Sequence, residues 1–381
     1  MLGVQKPAVA HRILLNRENE FEPFILFIIR GIWQSERKEL ARGLINKWVR
    51  QYKHLQDCAL VFEYTEDVDT RILARIYQLA KRKDDINALN NVISSILSHH
   101  VKHKSLKTLF IYILKELSKH KNYLWAKLHW FKLEPFLRVL SRKEWIVVFD
   151  NLLFVPDINY DIEEILAIAA DRFPKDVVEF FYKRITMHGW KKKSSHYDAI
   201  PFSLNTLNKP LEKNADIVIE ELLKWFIRSA KWSIYWDGSH LIQSIFPTFH
   251  PLLEKKLIAL IKSKTKNKER LIFSILKAYE GEPFLYAVSK ELIRKYPKNK
   301  KYWREMFYLL SQMGVVSGEY GISGGYEKKI QEIKGWKDDK SIIIRRFAQE
   351  YETFLQKQIK AGKKRADEGI ELRKRRYEEQ L

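Results

Sequence analysis

Few residues in this sequence have the types and spacing for catalysis. His99, His100 and His103 fall in a predicted helix, with His99 and His103 four residues apart as in a metal-binding pair. No Glu completes an HExxH pattern, and Lys102 and Lys104 would repel a cation, so solvated helix-end histidines are expected. Asp157, Asn159 and Asp161 imitate the start of a calcium loop, but Ile162 stands where the turn glycine belongs and Ile168 where the bidentate glutamate belongs. Asp161 with Glu164 instead reads as a capping-box-like start of the helix through Ile168. Ser195, His196 and Asp198 are too close in sequence for a convergent triad. Arg184 and His188 are closer than the Arg–His pairs of helical ribonucleases, and Glu254-Lys255-Lys256 lacks the sheet that a nuclease ExK needs. Ser317 to Gly325, SGEYGISGG, has no Gly-Lys-Ser/Thr and no preceding strand, so no phosphate cradle is expected. No catalytic, cofactor or metal site is predicted, and the chain reads as a non-enzyme; an unrecognised helical nuclease is the third-ranked reading.

The cations are what remains. Lys191, Lys192 and Lys193, then Lys262, Lys264, Lys266 and Lys268, then Lys298, Lys300 and Lys301 lie in predicted interhelical breaks. Trp190, Tyr197 and Trp303 lie close by. On a repeating helical scaffold these breaks would share one edge, giving a basic stripe that tracks phosphates with aromatics that stack bases. The competing explanation is that the lysines only solubilise and the aromatics are core.

The elements carrying these residues are helices. Apolar residues recur at helical spacing, as in Leu40, Leu44, Ile45 and Trp48, or Leu106, Leu109, Phe110, Ile113, Leu114 and Leu117. No sustained period-two alternation appears. Pro135, Pro174, Pro210, Pro247 and Pro283 are 39, 36, 37 and 36 residues apart, and Glu-Pro-Phe recurs at Pro23, Pro135 and Pro283, each time as an expected helix opening. A period near 37 fits one helical hairpin per repeat. The predicted fold is therefore all-α, a right-handed α-solenoid of HEAT/TPR-like hairpins ending in a long charged helix from Lys340, whose last half is expected to be solvated. The expected organisation is N-terminal repeats over 1–187, an irregular loop over 188–214, repeats over 215–316, a glycine-rich linker over 317–325 and a charged helical segment over 326–381.

Composition bounds the function. In 381 residues, 46% hydrophobic content excludes disorder, and a formal charge of +22 points to an anionic partner: nucleic acid, an acidic membrane surface or an acidic protein. The single Cys58 excludes a disulfide framework and should be a buried apolar residue in a reducing compartment. Phe24 to Trp33, interrupted by Arg30, is too short to span a bilayer, and the start has no signal-peptide-like run. A cytoplasmic protein with no membrane partner is expected.

Tyr197-Asp198-Ala199-Ile200-Pro201-Phe202, Leu207, Pro210-Leu211, Trp336-x-x-Asp339, Phe347-Ala348, Tyr351, Ile359, Arg365-Ala366, Ile370, Arg373-Lys374 and Tyr377 resemble the C-terminal helical-repeat region of bacterial STAND or NACHT-type NTPases linked to anti-phage defence. The resemblance covers about residues 190–381 and implies a HEAT-like region that senses a partner. The sequence has no Walker A motif and no effector segment, so nucleotide binding and catalysis are not carried over. A non-enzymatic scaffold for a protein partner is the leading expectation, and a nucleic-acid-binding repeat protein is the alternative.

Overall fold

Helix endings set the architecture. The computed structural model describes residues 2–99, 105–127, 130–187, 197–228, 232–265, 268–280 and 282–378; all regular structure among them is helical. Thr70–Lys83 shows how an element begins and ends. The Asp69 carboxylate accepts from the N–H groups of Arg71 and Ile72, at 3.0 and 3.1 Å, and Lys81, Arg82 and Lys83 oppose the negative end of the helix dipole. Asp84 then turns the chain at φ 53°, and Ile86–His99 runs back against it. Tyr52 and Glu280 end their helices in the same left-handed conformation. Each helix buries a stripe such as Ile72, Leu73, Ile76, Tyr77 and Ala80 against its neighbours.

The chain divides into two units, Met1–Leu211 and Glu212–Leu381. In the first, polar ties join residues about one hairpin apart. Ser95 donates to Ala59 O, 36 residues away, at 2.5 Å. His99, buried rather than solvated, holds Phe62 O across 37 residues at 2.5 Å. Lys107 reaches Glu144 across 37 residues, Asn151 reaches Ser118 across 33 and Arg142 reaches Asp176 across 34. In the second unit Tyr279 donates to Phe246 O across 33 residues. Separations of 33–37 residues recur in these contacts, whereas the prolines do not mark equivalent positions. Pro174 opens a helix, but Pro135 lies inside Trp130–Arg138 and Pro23 inside the 3-10 turn Glu18–Phe24, so the repeated Glu-Pro-Phe wording is not a repeated helix start.

Other expectations are corrected. The glycine run is no linker throughout: Gly321–Glu332 is helical, with Gly325 packed against the Met313 side chain, which would have to move to admit a methyl group. Helix Tyr160–Ala170 is capped by Asn159, whose side chain accepts from Ile162 N–H, two residues before the expected Asp161. The long helix is Ile342–Glu378; its exposed second half is tied to the preceding segment by Lys363 with Glu327, Tyr320 with Asp367, and Arg373 with Glu319. Cys58 is buried, and loss of hydration pushes its thiol well above the usual range.

A strap of irregular chain closes the first unit. Glu163 is buried, and its Oε1 accepts from the backbone N–H groups of Asn205, Thr206 and Leu207 at 2.5, 2.6 and 2.9 Å. Arg184, fully buried, donates to the carbonyls of Val155, Ala199 and Asp198 at 2.8, 3.1 and 2.5 Å, and to Leu152 and Leu153 at longer range. The acid thus binds the amides of the strap and the base its carbonyls.

Two tests concern the packing of the first unit. A methyl group on Gly31 would lie 2.9 Å from the Gly3 Cα. Gly31→Ala should therefore lower the thermal midpoint by several degrees, matching an overpacking cost of about 1–3 kcal/mol. Burial alone would raise the Glu18 carboxyl, but His54, Trp48 and Lys53, at 2.9, 3.1 and 3.1 Å, outweigh it and hold the group at about 2. Because the folded value is depressed, this stabilisation is complete above the unfolded value near 4.5 and fades as pH falls towards 2. Glu18→Gln should be less stable than the native protein at pH 7, and the difference should shrink in denaturant titrations repeated down to pH 2.5.

Candidate anionic-partner surface

Among the described residues, cations and aromatic rings converge in the second unit. Asn299 starts helix Lys300–Leu310 by accepting from Tyr302 N–H at 3.1 Å. Helical spacing then puts Lys300, Trp303, Arg304, Phe307 and Tyr308 on one flank and Lys301, Tyr302 and Glu305 on the other. Each flank lines a groove.

The first groove, about 650 Å³, has Lys298, Lys300 and Arg304 on one side and Arg346, Glu350 and Phe354 of the long helix on the other. Trp303 forms its floor, 6% exposed, with its indole N–H on Tyr296 O at 3.2 Å. The Arg346 guanidinium lies 5.7 Å from the Trp303 ring centre, and its Nε is 2.9 Å from Glu350. Phe354 stacks on Phe307 at 5.6 Å and meets Tyr308, which is 58% exposed, in a T-shaped contact. Lys298, Lys300 and Arg304 have no carboxylate partner among the described residues.

The second groove, about 490 Å³, is formed with helices Trp232–Ile245 and Lys268–Ala278. The Arg270 guanidinium covers the Tyr235 ring at 4.6 Å, and Lys277 pairs with Glu305 at 2.8 Å. Lys301 adds an ammonium with no carboxylate partner among the described residues, and Trp236 is 55% exposed. From Lys262 to Arg304 only Glu269, Glu280, Glu282 and Glu291 offset the Lys and Arg residues.

The sequence-predicted candidates separate on this geometry. Lys298 and Lys300 line the first groove and Lys301 the second. Trp303 belongs to the first groove as buried floor and cannot stack an incoming base. Lys268 is corrected outright: it is buried, and its ammonium donates to Ile261 O at 2.8 Å and to Ser263 O, ending helix Pro251–Lys262. Lys262 and Lys264 are exposed but line neither groove, and Lys262 approaches Glu291 at 3.9 Å. Tyr197 is buried in the first unit, its ring 4.7 Å from the Arg184 guanidinium. Trp190, Lys191, Lys192, Lys193 and Lys266 lie outside the described residues, as do His100, His103, Ser195 and His196.

Arg304, Arg346, Phe307, Tyr308, Phe354, Arg270 and Trp236 were not selected by sequence reasoning. Their available signal was the i, i+3, i+4, i+7, i+8 run from Lys300, in which cations and rings share a face. Among the described residues no group of three or more His, Cys, Asp or Glu could hold a metal ion, and no helix is long and apolar enough to cross a membrane. No protein-family model, curated protein or solved structure matches the chain.

Proposed function

We propose that the protein is a non-enzymatic α-solenoid scaffold that binds a macromolecular partner through the two basic, aromatic-lined grooves of its second unit. The observation that carries this reading is the set of Lys298, Lys300, Arg304 and Lys301 ammonium and guanidinium groups, which have no carboxylate partner among the described residues and lie beside exposed Tyr308 and Trp236. Cations without internal partners beside apolar rings favour an anionic partner with flat or apolar groups. Polar ties one hairpin apart support the solenoid arrangement, since in such arrays each repeat contacts its neighbours. The right-handed HEAT/TPR-like form is proposed by analogy with helical-repeat families of similar period. The single buried Cys58 supports a reducing, cytoplasmic setting. A role in a bacterial defence module rests on the sequence resemblance of residues about 190–381.

Affinity capture tests the reading. The same stoichiometric partner should be recovered with the wild type and lost with Lys298→Glu/Arg304→Glu/Arg346→Glu, while the two proteins melt within about 3 °C of each other, as expected for exposed positions. Equal recovery with both would contradict it.

A further inference from the structure

We infer that the occupant of the two grooves is a single-stranded nucleic acid, threaded across helix Lys300–Leu310 from one flank to the other. This rests on the reading that these grooves are the binding face, and it names the partner's chemistry.

Charge and ring placement together favour this class. An acidic protein segment would satisfy the cations, but its carboxylates end flexible stems and offer no flat group to the exposed parts of Tyr308 and Trp236. A single strand offers phosphates and flat bases in alternation, matching ammonium groups beside exposed rings. Arg270 lying over Tyr235 and Arg346 near Trp303 add guanidinium planes on which bases also stack. A duplex keeps its bases stacked on one another, so it could use only the cations. Continuity comes from the shared helix: with a diameter of about 10–12 Å, it separates the grooves by less than the span of a site of roughly 4–16 nucleotides. Lys300 and Lys301, adjacent in sequence, face opposite grooves and would hold successive phosphates across it.

The test uses the full-length protein and fluorescein-labelled 20-mers of single-stranded RNA and DNA, with the matching duplex and polyglutamate as competitors, read by anisotropy. A single strand should bind, and four phosphate contacts should weaken it about 50-fold between 50 and 200 mM salt. Tyr308→Ala and Trp236→Ala keep every charge and sit at exposed rings; each should weaken binding roughly tenfold, with the melting temperature measured alongside. Equal competition by polyglutamate, equal affinity for duplex, or unchanged binding by both aromatic variants would overturn the inference. If no oligonucleotide binds while capture still depends on Arg304 and Arg346, the nucleic-acid assignment falls and the binding face stands. If capture is also indifferent to those residues, both fall.

Discussion

Arg184→Met should lower the melting temperature of the first unit by about 10 °C or leave the strap over residues 197–207 unfolded. Arg184 is a fully buried cation whose hydrogen bonds go to five main-chain carbonyls. Burial pulls the guanidinium down to about 10, with Tyr197, Asp157 and Asp198 opposing, so it remains charged at pH 7. Methionine fills a similar volume but supplies no donor: Leu152 O keeps the N–H of Val155, whereas the buried carbonyls of Val155 and Ala199 are left without a partner. Each orphaned group costs about 1–3 kcal/mol, and partial relaxation makes a total of about 3–5 kcal/mol reasonable. At this size each kcal/mol is worth about 2–4 °C. Lysine, with three donors and no planar fork, should recover only part of the loss. Thermal unfolding followed by near-UV circular dichroism measures it, and a shift below 2 °C would show that the strap does not depend on these bonds.

Phe347→Ala should have a comparable effect on the second unit and also remove the first groove. Phe347 is fully buried, with ring centres of Trp303 at 5.2 Å, Phe307 at 5.0 Å, Tyr351 at 6.0 Å and Trp336 at 6.1 Å. It fastens helix Ile342–Glu378 to helix Lys300–Leu310, and Arg346, Glu350 and Phe354 of the long helix form one wall of the groove. Truncating a buried phenylalanine costs about 3–5 kcal/mol because a cavity remains where the ring was. Hydrogen exchange should speed up along residues 342–355, and partner binding should fall even though no groove cation has changed. Phe347→Leu retains most of the volume and should retain binding. Slow exchange and full binding in the alanine variant would mean that the helix is held elsewhere.

Sequence reasoning reached what local rules determine. Helical periodicity identified the apolar stripes through Trp48, Leu114 and Phe226, all buried, and Cys58 behaved as a small apolar residue. Tertiary use of polar side chains was not legible. Lys268 looks like any lysine in a basic run, but it curls back onto the carbonyls ending the previous helix. His99 and Arg184 likewise serve carbonyls belonging to earlier hairpins. The glycines at 321, 324 and 325 suggested a break, although their backbones continue a helix packed against the long one. At the candidate surface Lys298, Lys300 and Lys301 could be read from charge, but Arg346 and Phe354 are brought there only by helix packing.

The most direct measurement of the central claim is a crosslinking map. A photoreactive amino acid would be placed singly at Trp236, Lys277, Lys301 and Tyr308 on the groove face, and at Lys255, Ala287 and Tyr160, exposed positions outside both grooves. Partner adducts are expected at the first four positions and background at the last three. Equal yields at all seven, or adducts confined to the last three, would contradict the claim.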